Sequence, residues 1–162
     1  MIERLAIRQI HHEDGRIVRV QERRPAHDLT VPWALPPGPS GVTSARRAAR
    51  DQLAALGISD PEVVDTIELI VSELTGNVVK HAEGAATLRL ERVGPVVRVE
   101  VRDRAAGRVP EERRPEPEGD GGRGLLLVST LATSWGYDRS DGQKCTWAEV
   151  DTSRPRGLAD TP

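Results

Sequence analysis

The sequence predicts an α+β domain, with helices laid against a mostly antiparallel sheet. Three observations predict it. Residues 61–82 carry a helical apolar stripe, residues 86–93 and 96–101 read as two strands about a Gly94-Pro95 turn, and residues 134–139 and 144–151 read as two more. The last two are joined through Ser140-Asp141-Gly142, and Asp-Gly is a strong hairpin signal. Strands joined by such short turns pair antiparallel.

The long helix is the most informative segment. At about 100° per residue, Val63, Ile67, Ile70, Val71, Leu74 and Val78 fall on one stripe. Glu73, Asn77 and Lys80 share one flank of it, while Asp65, Glu68 and Ser72 occupy the opposite face, expected to be solvated. A carboxylate one turn before a carboxamide, beside a buried stripe, suits a base and a metal-coordinating amide lining a pocket. Plain solvent exposure is the alternative, and on this helix alone the commoner one. Lys80 has two readings as well, a phosphate contact or a solvated cation. His81 falls near the centre of the stripe and is expected to be buried with a partner rather than catalytic. Asp60-Pro61 opens the helix as N-cap and first-turn proline. Upstream, Ser40 or Thr43 is expected to cap a helix that runs to about Leu56 and stops at Gly57. Residues 32–39 are proline-rich and read as an edge strand with a linker.

In the strand after the turn, Val97, Val99 and Val101 share one face, and Arg98, Glu100 and Arg102 the other. The run ends at Asp103. An aspartate at a strand end either forms a turn or accepts a hydrogen bond from an exocyclic amine such as that of adenine. Residues 104–121 contain Pro110, Pro115 and Pro117 among Glu, Arg and Gly, a composition that fits a mobile loop. The loop leads into Gly119-Asp120-Gly121-Gly122-Arg123-Gly124 and then Leu125-Leu126-Leu127-Val128 and Leu131. Glycines opening a helix let backbone N–H groups approach phosphate oxygens, and the helix dipole favours the anion. Arg123 adds a charge for a charge-assisted contact; a flexible joint is the plainer reading. The cluster is neither a dinucleotide fingerprint, which follows the first strand of a βαβ unit, nor a Walker loop, since no Gly-Lys-Ser/Thr follows.

Taken in order, three stretches resemble the GHKL ATPase superfamily with its Bergerat nucleotide-binding fold. They are residues 71–82 (Val-Ser-Glu-Leu-Thr-Gly-Asn-Val-Val-Lys-His-Ala), residues 99–103 (Val-Glu-Val-Arg-Asp), and residues 122–128 (Gly-Arg-Gly-Leu-Leu-Leu-Val), with Trp135-Gly136 and Trp147-Ala-Glu-Val150 after them. The likeness covers roughly Trp33 to Asp151. Within the superfamily the chain is similar to the small anti-sigma factor serine/threonine kinases of actinobacteria and bacilli. The resemblance implies a two-layer α/β sandwich with a mixed, mostly antiparallel sheet. It implies a general base at Glu73, Mg²⁺ held by Asn77, the adenine amino group bound by Asp103, and Gly107 beneath the adenine. Backbone N–H groups of Gly122 and Gly124, with Arg123 and Leu125 in the same turn, would cradle phosphates, and residues 104–121 would be a lid over ATP. The implied partners are a sigma factor and its anti-sigma factor antagonist, a STAS-type protein whose serine would be phosphorylated. A homodimer is implied too. The chain departs from the pattern at three places. Only Asp103 and Gly107 fit the adenine motif, Gly76 stands where relatives often have Thr, and ungapped alignment puts Cys145 at a position where a Thr often supports the aspartate. Thr146 is one step off, on the strand's other face. A non-catalytic nucleotide-responsive binding module and a slow ATPase stay open as alternatives.

Composition bounds the rest. At 162 residues one domain is expected, divided as an extension over 1–31, an ATP-binding domain over 32–151 and a tail over 152–162. With no Phe and one Tyr, the core must come from Val, Leu, Ile and Ala. A net charge of −2 gives no support for nucleic-acid binding. Lysine occurs only at Lys80 and Lys144. Cys145 is the single cysteine, which excludes an internal disulfide, suits a reducing cytoplasm and reads as a small core residue. The first ten residues carry Glu3, Arg4 and Arg8 and no long apolar run, so neither a signal peptide nor a membrane span is expected. Residues 2–10 and 16–21 are available for a hairpin about 12–15, with His11 and His12 at an exposed turn. His27 is expected to be exposed as well.

Overall fold

The computed structural model describes residues 10–13, 16–19, 28–81, 85–104, 123–140 and 143–153. In chain order the elements are β1 (Ile10–Glu13), β2 (Arg16–Arg19), β3 (Asp28–Leu29), β4 (Trp33–Leu35), α1 (Ser40–Ala55), α2 (Pro61–His81), β5 (Ala86–Val93), β6 (Val96–Asp103), α3 (Arg123–Leu131), β7 (Ser134–Ser140) and β8 (Gln143–Asp151). The main sheet runs β3-β5-β6-β8-β7, with β4 also on β5, and every pairing among these strands is antiparallel. All three helices lie on one face: α1 against β5, α2 against β6 and β8, α3 against β7. This is the expected α+β two-layer sandwich.

The helical face is apolar because alternate strand residues point to it. Leu88, Leu90, Val97, Val99, Val101, Ala148 and Val150 meet Val63, Ile67, Ile70, Val71, Leu74 and Val78 of α2 there, all buried. Helix α1 presents Ala45, Ala48, Ala49 and Leu53 to the same core, and its small side chains let α1 lie close to α2. Ser40 and Thr43 do not cap α1. The helix starts at Ser40 after Pro39, without a side-chain cap, and Ser40 Oγ instead donates to the Pro37 carbonyl at 3.3 Å. Close packing holds this start: a Cβ on Gly41 would lie 2.5 Å from the Pro36 oxygen. Gly57 ends α1 with φ 73°, as its position suggested. Asp60 caps α2, its Oδ1 accepting from the N–H groups of Glu62 at 2.9 Å and Val63 at 3.3 Å.

Glu68 corrects the expectation of a solvated face. It is only 3% exposed, held by Arg50 Nε at 2.6 Å and Arg46 Nη2 at 3.4 Å. Helix α1 packs along this side of α2, so a face that is polar in sequence is an interhelical seam. Asp65, farther round, is exposed.

No described helix covers the other face of the sheet. An arginine–carboxylate ladder covers it instead. Glu100 receives Arg89 Nη2 at 3.1 Å, Arg98 Nε at 3.0 Å and Arg102 Nη2 at 3.0 Å. Arg98 also reaches Glu149 Oε1 at 3.1 Å, and its guanidinium lies 4.1 Å from the centre of the Trp147 ring. The indole rests across Gly136, where a Cβ would come 2.8 Å from the ring. Burial pushes the Glu100 carboxyl up, but the Arg102 hydrogen bond and the charges of Arg98 and Arg89 outweigh it and hold the group below its ordinary value.

Cys145 lies on this ladder face, beside Arg102 in the pairing register, and not in the core as expected. Burial, and then the charge of Glu100, push its thiol up to about 12. In the hairpin β1–β2, Glu13 pairs with Arg16, so the turn is shorter than expected and His11 and His12 sit in a strand. The pair lies beside β7. The expected boundary between residues 31 and 32 falls between β3 and β4, both of which join β5. His27 lies outside the described residues.

Candidate functional site

The pieces of the expected site come from three elements. Glu73 and Asn77 stand one turn apart on α2, both half-buried beside the core stripe. Gly124 is the second residue of α3, and α3 packs on α2. The contact is intimate: a Cβ on Gly124 would collide with Glu73 Oε2 and lie 3.2 Å from Glu73 Cδ. Two motifs 51 residues apart thus meet, and glycine at their junction leaves room for the Glu73 carboxylate against the first turn of α3. The first turn of α3 has unsatisfied N–H groups and the positive end of the helix dipole. Glu73 therefore sits beside an anion-favouring helix start, in reach of whatever binds there.

Asp103 closes β6 on the helical face. Its side chain is fully buried and 3.4 Å from the ammonium of Lys144, its register partner on β8. Connectivity places it near the end of α2. Helix α2 ends at His81 and β5 begins at Ala86, adjacent to Thr87, the partner of Arg102. Five steps of chain span at most about 18 Å. The C-terminal turns of α2 and the Asp103 end of β6 thus share one margin of the sandwich.

Pairing also corrects the alignment at β8. Asp103 faces Lys144 and Val101 faces Thr146, so Lys144 and Thr146 share the Asp103 side while Cys145 points to the opposite one. Thr146 is 4% exposed. An ungapped alignment counts residues and cannot sense which way a pleat turns; the period-two pattern Lys144, Thr146, Ala148, Val150 would have shown it. The same pattern marks Lys144, which belongs to none of the motifs: a lysine in register with core residues is out of place unless it has a task.

Other expected residues fall outside this view. Gly107 and Gly122 lie outside the described residues, as does the expected lid up to residue 121 except Arg104. Lys80 and Arg123 lie on α2 and α3, and Leu125 is buried in the core from the first turn of α3. Among the described residues no group of three His, Cys, Asp or Glu could cage a metal.

Residues 35–150 match the family model of the histidine kinase-like ATPase domain. The chain belongs to that family. The match spans both helices of the first half, the strand ending in Asp103, α3 and the last hairpin, so Glu73, Asn77, Asp103 and Gly124 all lie within one ATP-binding domain of the histidine kinase-like type. No curated protein matches the chain. No described helix is long and apolar enough to cross a membrane.

Proposed function

We propose that this ATPase-family domain is an anti-sigma regulatory factor. It binds ATP with Mg²⁺, phosphorylates a serine of a STAS-type anti-sigma factor antagonist, and sequesters a sigma factor. The observation that carries the reading is the meeting of Glu73 with the glycine start of α3. That junction puts a carboxylate next to the place where N–H groups and a helix dipole favour phosphate.

The donor set suits the cofactors. The space that a Cβ on Gly124 would fill is taken by the Glu73 carboxylate, so the glycine lets the base lie against the first turn of α3. Asn77 offers a neutral oxygen, a hard donor suited to an ion that keeps most of its other ligands as phosphate and water. Bound Mg²⁺ would neutralise phosphate charge. The protein's own residues do the rest. Glu73 accepts the proton of the incoming serine hydroxyl, Asn77 fixes the triphosphate, and Asp103 accepts from the adenine amino group. Phosphoryl transfer asks chiefly for such positioning and charge stabilisation. A phosphate on the antagonist adds about −2 in charge and ends its binding.

Radiolabelled ATP, Mg²⁺ and candidate antagonists test the reading. The wild type should label a serine of the antagonist. Glu73→Gln should keep ATP binding and lose transfer by about 10²–10⁴-fold, the usual worth of a general base. Undiminished transfer by Glu73→Gln would refute its role. Binding of both partners without label would leave sequestration alone.

A further inference from the structure

Lys144 is 6% exposed, and its ammonium has three hydrogens to place. Among the described residues its partner is Asp103, at 3.4 Å, longer than a good N–H···O hydrogen bond. A buried cation with donors unmatched is costly unless something supplies acceptors. Both side chains lie on the helical face at the end of the sheet, where the valine rows of β6 and the small residues of β8 give way to polar groups. Neutralising Asp103 uses at most one of the three ammonium hydrogens.

We propose that Lys144 is a base-reading residue, donating to N1 of the adenine whose amino group Asp103 accepts. The inference rests on the nucleotide-binding reading above. An acceptor beside a donor matches the Watson–Crick edge of adenine, where the N6 amino group adjoins the N1 lone pair. The pair reads two adjacent atoms where a lone aspartate reads one. It also accounts for a lysine in register with the core: the bound base supplies an acceptor beyond the one that Asp103 gives among the described residues.

The test compares ATP with 1-deaza-ATP, in which C–H replaces N1, on the full-length wild type and on Lys144→Met. The wild type should bind 1-deaza-ATP about tenfold more weakly than ATP, a difference of roughly 1.4 kcal/mol. Lys144→Met should bind the two alike, and both more weakly than the wild type binds ATP. Equal affinities in the wild type overturn the proposal, as does a gap that persists in Lys144→Met. If the methionine variant does not fold, the wild-type pair still decides against the proposal when the affinities are equal, and Lys144→Gln, which keeps an N–H donor, replaces it with a retained though smaller gap. The outcomes separate two failures. A wild type that binds ATP without regard to N1 defeats only this inference; one that binds no ATP defeats the nucleotide reading itself.

Discussion

The two faces of the sheet are stabilised in opposite ways. On the helical face, valines, leucines and alanines from β5, β6 and β8 are buried under α1 and α2. On the other, guanidinium groups and carboxylates form a ladder in which Arg98 lies over Trp147, with no described helix above them. Apolar burial is non-directional, and where the apolar rows of β6 and β8 end, Asp103 and Lys144 appear at the margin of the helical face. The ladder is directional, and its charges are matched in place. The difference teaches where ligand chemistry can reside. A charged group on the ladder has its partner in the protein, whereas Lys144 on the helical face has fewer acceptors than donors among the described residues.

The largest stability effect should come from breaking the apolar face. Leu88 is fully buried between β4 and β6. Leu88→Ala removes its methyl groups and leaves a cavity, at a cost of about 2–5 kcal/mol. Urea denaturation would measure it; a loss below about 1 kcal/mol would mean this face is not what stabilises the fold.

The ladder should yield less, and its yield should depend on pH. Glu100→Gln keeps the shape but removes the charge that three arginines share, at a cost of about 1–3 kcal/mol. The sign follows from the lowered carboxyl of Glu100. Its contribution is complete above the ordinary value of 4.5 and fades as pH falls below it. Asp138 works the other way, because burial raises its carboxyl above the ordinary 3.8. Wild type and Glu100→Gln should therefore differ most near neutral pH and converge under acid. A difference that is flat from pH 7 to about 3 would count against the charged hub. Cys145 gives an independent check on the same face. With its thiol pushed up to about 12, it should react with iodoacetamide at pH 8 far more slowly when folded than in denaturant.

Much of this arrangement was legible in the sequence, for physical reasons. Val63 to Val78 on a 3.6-residue period and Val97 to Val101 on a period of two each have one dominant cause, burial of one face. Helix α2 and strand β6 follow from them, while Gly94-Pro95 and Asp141-Gly142 mark the β5–β6 turn and the β7–β8 hairpin. Glu68 is not legible as buried, because an interhelical ion pair leaves the same trace in sequence as a solvated face, a charged residue opposite the stripe. The face of Cys145 is not legible either, because a small residue in an alternating run belongs to either face until its partner strand sets the register. At the site, Glu73, Asn77 and Asp103 stood out as motif residues. The meeting of Glu73 with Gly124 and the pairing of Asp103 with Lys144 depend on tertiary contact, which no local spacing carries.

The smallest effects on stability are the sharpest test of the site against the scaffold. Gly124 and Gly76 both lie within helices, where replacing glycine by alanine ordinarily adds about 0.5–1 kcal/mol. Their surroundings differ. No atom lies within 4 Å of a Cβ built on Gly76, whereas one built on Gly124 collides with the Glu73 carboxylate. That carboxylate ends a flexible side chain, so it would swing aside at little cost. Gly124→Ala should then change stability by less than about 1 kcal/mol yet reduce phosphoryl transfer by up to about 10²-fold, the penalty for misplacing a reacting group by an ångström. Gly76→Ala should stabilise the fold by the ordinary helical increment and leave transfer intact, since the resembled kinases often carry a larger residue there. Thermal melts beside transfer assays on the two variants would resolve it. If both variants transfer phosphate like the wild type, the carboxylate at the head of α3 has no part in the chemistry.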